Sequence, residues 1–270
     1  MTTTDLRPAR SGIDQSNIQE ILDAETSAKL ATLTGQAQFL TPPHYAKECY
    51  DKLIDLGSFC PATVLDPQCG IGTLTATSGG NYGTHRFGID IDNRLSSNGP
   101  TTHLLTGNCV KVGALLDELY PGTIFAMAHA NPPFGKKLKL ADGTSMDGTA
   151  WTWKFVTEHA NAGYFIASAG TIKELGIDTH PWVKKVETRK GNTLWDGMRD
   201  TMEITTVWWQ RPQWVQITTE YLLKPRWDKL KAILEEEESA RPKFNIYLNA
   251  AGFLKTYLSI RQKTKLDDAK

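Results

Sequence analysis

The sequence predicts an α/β fold: a mostly parallel sheet with helices on both faces and an antiparallel strand pair at its C-terminal end. Two observations carry this. Between residues 63 and 168 short apolar runs alternate with stretches of helical spacing, the rhythm of strand–helix–strand units. Beyond residue 180, two strand-like runs at 182–188 and 204–210 follow one another with no full helix between them, which suits an antiparallel pair.

In chain order, residues 1–12 read as a flexible tail, and 14–34 have helical spacing at Ile18, Ile21, Leu22 and Leu30. Thr41 is a good N-cap, Pro43 suits the first helical turn and Gly57 the end, so a helix is expected from Pro43 to Leu56. Strands are expected at Thr63–Asp66, Arg86–Asp90, Thr101–Leu105, Ile124–Ala130 and Tyr164–Ser168. Helices are expected after the Gly-rich turn at 70–72, at Val110–Tyr120 and at Trp151–Asn161. Residues 135–150 read as a polar loop. Lys224–Ala240 reads as an exposed helix with a solvated acidic run at 235–238, and Ala250–Arg261 as a last helix. The expected organisation is a tail (1–12), a catalytic domain (13–210) and a C-terminal extension (211–270) that contacts nucleic acid.

Composition narrows the function. Of 270 residues, 40% are hydrophobic and 30 basic side chains balance 30 acidic ones, so most of the chain is expected to fold around a core. No stretch approaches the ~18 apolar residues of a spanning helix. The first residues lack a signal-peptide core, which places the protein in the cytoplasm by default. The four cysteines, Cys49, Cys60, Cys69 and Cys109, form no C-x-x-C pair and the histidines no H-x-x-x-H pair, so no metal site is expected. Charge is uneven along the chain: residues 1–135 carry 8 basic and 13 acidic side chains, residues 211–270 carry 12 and 8, and all eight Trp follow position 150. Basic charge with exposed aromatics suits nucleic-acid contact. Any single Trp is better read as core.

Three motifs carry chemistry. In Val64-Leu65-Asp66-Pro67-Gln68-Cys69-Gly70-Ile71-Gly72, a strand ends in an acid and turns through two glycines into a helix. Such turns sit at the carboxyl ends of strands, where ligands bind in open α/β sheets. In Gly88-Ile89-Asp90-Ile91-Asp92, an acid ends the second strand, placed to accept from ribose hydroxyls. These two elements fit any nucleoside cofactor, although Thr75 where a dinucleotide fingerprint wants a third Gly or Ala disfavours nicotinamide chemistry. The third motif, Asn131-Pro132-Pro133-Phe134, directly follows the fourth strand and is the most specific.

With these motifs in this order, the sequence resembles class I S-adenosylmethionine-dependent methyltransferases that methylate amines, a Rossmann-like fold. The upstream Gln38-Phe39-Leu40-Thr41-Pro42-Pro43 resembles the F-x-T-P segment of gamma-type DNA adenine-N6 methyltransferases, although an ordinary N-cap explains Thr41-Pro42 as well. The resemblance implies S-adenosyl-L-methionine as cofactor. Its methionine part would be held by Thr41, Asp66, Pro67, Gly70 and Gly72, and its ribose by Asp90, with Ile91 in the same site. Asn108 stands where an acid often receives the cofactor's adenine amine. Asn131, Pro132, Pro133 and Phe134 would hold the target amine, and Trp195 would lie on the far side of a flipped base. Lys136, Lys137 and Lys139 are placed to contact phosphates beside it, or form a solvated loop.

The expected activity is methyl transfer to adenine N6 in duplex DNA, with the target base flipped and a partner protein supplying specificity. Two other readings stay open. One is methylation of an RNA base, adenine N6 or guanine N2, or of protein glutamine. The other is a non-catalytic, methyltransferase-like subunit that binds nucleic acid.

Overall fold

The computed structural model describes residues 41–57, 62–70, 72–77, 84–91, 102–133, 135–140, 142–194 and 201–240. The expected tail, the expected helices at 14–34 and 250–261, and Phe39, Phe134 and Trp195 lie outside the described residues. The chain divides into two compact units, 1–230 and 231–270. The first holds the sheet and the site. The described part of the second is the end of the last helix, where Lys231 pairs with Glu235.

The elements are α1 (Pro43–Asp55), β1 (Thr63–Asp66), α2 (Thr73–Ala76), β2 (His85–Asp90), β3 (Thr102–Thr106), α3 (Cys109–Leu119), β4 (Phe125–Ala130), β5 (Lys137–Lys139), β6 (Ser145–Asp147), α4 (Gly148–His159), β7 (Ala160–Ser168), α5 (Ala169–Glu174), β8 (Val183–Lys190), β9 (Glu203–Gln210) and α6 (Glu220–Ala240). Among the described residues, seven strands form one sheet in the order β3-β2-β1-β4-β7-β9-β8. The first five are parallel neighbours. β9 enters between β7 and β8, antiparallel to both.

Successive residues of a strand face opposite sides, and the register shows what covers each. Tyr164 aligns with His129 and Trp208 on one side. There α1 packs: the Trp208 indole donates to the Cys49 carbonyl at 2.8 Å, and Tyr45, Cys49 and Leu53 enter a core with Val64, Met127 and Ile166. Phe87, Leu65, Ala128, Gly163 and Trp209 form a row across five strands on the other side. Trp153 of α4 meets Phe165 and Trp209 there, and Trp227 of α6 meets Phe87. Trp208, Trp209 and Trp227 are thus core residues, while Trp214 is 40% exposed. The run before α6 is tied to the sheet: Asn161 donates to and accepts from the Val215 backbone, and the Thr218 amide donates to the Ile124 carbonyl.

At Gly163 the neighbouring strands leave no space for a side chain. A Cβ there would run into the backbone carbonyl of Ala128 and lie 3.2 Å from the Trp209 ring. Gly163→Ala is expected to destabilise the protein by about 3 kcal/mol, read as a lower urea midpoint at unchanged slope.

Three expectations need correction. The helix expected at Trp151–Asn161 begins earlier, because Asp147 caps it by accepting from the Thr149 and Ala150 amides. It also ends earlier, because Ala160 pairs with Phe125 and so opens β7. The stretch expected as a loop holds two paired strands, β5 and β6, joined by the Leu140 amide donating to the Thr144 carbonyl. Helix α5 is too short to show a period; Ser168 caps it.

Candidate functional site

The sheet order reverses between β1 and β4. The chain leaves β1 toward β2 on one side and β4 toward β7 on the other, and this divergence opens a crevice at the carboxyl ends of the strands. Asp66 ends β1, Asp90 ends β2 and Asn131 follows β4, so all three motifs meet there. Helix α1 brings Thr41 to the same place. The resulting cleft is lined by Thr41, Asp66, Gln68, Cys69, Gly70, Thr73, Leu74 and Asn131.

The turn after β1 is held by its own backbone. Gly70 and Gly72 have φ of 53° and 80°, in the left-handed region that other residues adopt at a cost, and Gly72 is the N-cap of α2. The Gln68 amide donates to Asp66 Oδ1 at 3.1 Å, and the Cys69 amide donates to the Ile89 carbonyl at 2.9 Å. Asp90 Oδ2 accepts from the Gly70 amide at 2.8 Å and so fastens the turn to β2. Ile91 beside Asp90 is 65% exposed, and Pro67 is buried.

Asp66 sets the electrostatics. It is fully buried, and no described group donates to its Oδ2. Burial pushes its carboxyl up to about 8; the Gln68 amide opposes this and the charge of Asp90 adds to it. Gln68 Oε1 and Thr73 Oγ1 are likewise buried without a partner among the described residues. Three unsatisfied oxygens in one cleft suit a positively charged, hydrogen-bonding ligand better than a phosphate. Among the described residues no group of three or more His, Cys, Asp or Glu is placed to hold a metal ion, and no helix is long and apolar enough to cross a membrane.

At the other wall, the Asn131 side-chain amine donates to Thr41 Oγ1 at 3.0 Å. Pro132 is buried and Pro133 half-buried. His129, two residues earlier, stacks on Tyr164 at 4.1 Å, and burial pushes its imidazole down to about 3, so it is neutral. Asn108 caps α3: its side-chain oxygen accepts from the Val110 amide at 2.9 Å, and one lone pair remains on that oxygen. The lysines expected beside the target sit at the β5–β6 pair. Lys137 and Lys139 are exposed at alternate positions of β5, and Lys136 is half-buried, its carbonyl accepting from the Gly148 amide at 2.6 Å.

Sequence reasoning missed Gln68, Cys69, Thr73 and Leu74. The Gln68 side chain donates to Thr152 Oγ1 of α4 at 2.9 Å and to Cys109 Sγ of α3 at 3.3 Å, bracing the turn against two helices. Gln68 and Cys69 lie between the acid and the glycines of the turn and Thr73 and Leu74 open α2, and only the folded loop shows that they face the cleft.

No protein-family model and no curated protein sequence matches the chain. Solved structures do. The modification subunit assigned to a type I restriction enzyme of Vibrio vulnificus superposes with a TM-score of 0.50 at 12% identity, over 74% of this chain and 50% of that one. The type I restriction-modification methyltransferase subunit of Streptococcus thermophilus gives 0.47 at 12% identity, over 73% and 53%. A Pyrococcus horikoshii protein assigned as an RNA methyltransferase gives 0.46 at 15% identity, over 64% and 86%. The architecture is a Rossmann-like fold, shared with the Vibrio subunit. This chain spans about half the length of the Vibrio subunit.

Proposed function

We propose that the protein transfers a methyl group from S-adenosylmethionine to the N6 amine of adenine in DNA. The observation that carries this reading is the placement of Asn131-Pro132-Pro133 at the end of β4, in one cleft with the buried carboxyl of Asp66. The residues present fit the cofactor. Asp66, Thr73 and Gln68 would offer buried oxygens to the ammonium of its methionine part, Asp90 at the end of β2 would hold its ribose, and exposed Ile91 and Asn108 would receive its adenine. When bound, S-adenosylmethionine supplies a sulfonium methyl, whose bond to sulfur breaks with the electron pair remaining on sulfur.

An adenine amine is a poor nucleophile because its lone pair is delocalised into the ring. In this reading the Asn131 side-chain oxygen and the Pro132 carbonyl accept its two N–H bonds, draw the nitrogen toward tetrahedral geometry and aim its lone pair. The two prolines hold these acceptors in place beforehand. Phe134 and Trp195 would flank the flipped base. No strong general base is required, because the nitrogen becomes acidic once it carries the methyl group; neutral, enclosed His129 is not placed to act as one.

The β5–β6 pair gives this reading a substrate surface, with Lys137 and Lys139 facing solvent next to the tetrapeptide. The double variant Lys137→Ala, Lys139→Ala is expected to weaken duplex binding and to lower the salt slope of log K by about 2, with cofactor affinity unchanged. Filter binding across a salt series measures this. In the same reading a partner protein supplies sequence recognition, and residues 211–270 add contacts to nucleic acid.

The experiment that tests the function is transfer of label from radioactive S-adenosylmethionine to duplex DNA, single-stranded DNA and RNA, followed by nucleoside mass spectrometry. Label as N6-methyladenine in DNA supports the proposal. Label in RNA, or in another base, replaces the substrate and keeps the site chemistry. Failure to bind the cofactor at all would overturn the enzymatic reading in favour of a non-catalytic subunit.

A further inference from the structure

We propose that Thr41 is a positioning residue for Asn131: it receives the amino end of the Asn131 amide and thereby turns the oxygen toward the target amine. This rests on the methyl-transfer reading above and assigns Thr41 a role other than the cofactor contact implied by the resemblance.

An asparagine side chain has two ends of nearly equal size, one a donor pair and one an acceptor. Only the oxygen can accept from a target amine; the amino end would set N–H against N–H. Presenting the oxygen leaves the amino group to find an acceptor elsewhere in a buried wall, where an unsatisfied donor is costly. Thr41 Oγ1 meets that need at 3.0 Å, from a position 90 residues away in the chain. Thr41 is 6% exposed, so water does not compete freely for its hydroxyl.

The local sequence would ordinarily use Thr41 as a helix cap. The structure places Pro42 at the N-cap, and its carbonyl accepts from the Tyr45 and Ala46 amides, each at 3.0 Å. Thr41 therefore lies one residue outside the helix, with its hydroxyl turned to Asn131. Helix α1 is itself pinned to the sheet. The Tyr45 hydroxyl bonds Thr206 Oγ1, the Trp208 indole donates to Cys49, and Arg189 of β8 holds Glu48 through both carboxylate oxygens. The position of Thr41 is thus set by packing some distance from the target.

The test compares Thr41→Val, which keeps the shape and removes the hydroxyl, with Thr41→Ser, which keeps the hydroxyl. The expected result for Thr41→Val is a loss of kcat of about 100-fold with cofactor Kd nearly unchanged and an intact thermal melt, while Thr41→Ser returns kcat to within about threefold of the unaltered protein. A second readout does not depend on turnover. In protein labelled with ¹⁵N-asparagine, the Asn131 side-chain amide (assigned by its disappearance in Asn131→Asp) is expected to exchange slowly with water in the unaltered protein and in Thr41→Ser, and fast in Thr41→Val. Unchanged exchange in Thr41→Val overturns the proposal. So does a variant that loses only cofactor affinity and keeps kcat at saturation, which would return Thr41 to the cofactor. If the unaltered protein methylates no acceptor, the proposed function fails, and the amide exchange still decides whether Thr41 holds Asn131.

Discussion

Asn131→Ala is expected to lower kcat for methyl transfer by about 10³-fold while S-adenosylmethionine still binds within a few-fold of its original affinity. The size follows from what is removed. In the proposed reaction the Asn131 oxygen would be one of two acceptors that raise the electron density of the target nitrogen, and the remaining one, the Pro132 carbonyl, could not engage both N–H bonds. The opposite wall of the cleft, built on Asp66 and the backbone bonds of Gln68 and Gly70, is left standing. Single-turnover transfer and equilibrium cofactor binding separate the two effects. A variant that keeps kcat would remove the tetrapeptide from the chemistry, and the proposal with it.

The second large effect belongs to Asp66. Its carboxyl, pushed up to about 8 by burial, keeps its proton through neutrality in the ligand-free protein. An ammonium group placed against it favours the carboxylate, so binding expels that proton. Affinity for S-adenosylmethionine is therefore expected to rise by up to about tenfold per pH unit below 8. It peaks near 8, because the α-amino group of the ligand loses its own charge above about 7.7–8.0. The sign for folding is opposite. An unfolded Asp titrates near 4 and the folded one near 8, so ligand-free stability falls as pH rises through that window. Asp66→Asn is expected to weaken binding about 100-fold at pH 8 and to remove both pH dependences. Calorimetric titration in buffers of different ionisation enthalpy counts the proton directly. A pH-independent affinity in the unaltered protein would show that Asp66 does not face the ligand's charge.

Strands β1, β2 and β4 were legible because each is a short run with apolar residues that ends in, or is followed by, a polar residue with chemical meaning: Asp66, Asp90 and Asn131. The antiparallel arrangement of β8 and β9 was legible from the missing helix between them. Elements whose cause is local but weak in pattern were not. The β5–β6 pair lies beside side-chain bonds between Asp142 and Thr144, in a stretch whose composition reads as loop. The opening of β7 at Ala160 is decided by its neighbour β4 rather than by its own residues.

The sequence by itself determined the chemistry available to this protein: an acid and two glycines after one strand, an acid after the next, and an amide with two prolines after the fourth. Those residue types follow from backbone conformation and from hydrogen-bonding capacity, which are properties of single residues and short turns. Only the tertiary structure decided how that chemistry is tuned. Burial of Asp66 raises its carboxyl toward neutrality, Asp90 is engaged by the Gly70 amide, and the hydroxyl of Thr41 goes to Asn131 rather than to the helix it precedes. Each of these depends on which distant segments share a low-dielectric cleft, and desolvation and hydrogen-bond partnership exist only once the chain has brought those segments together.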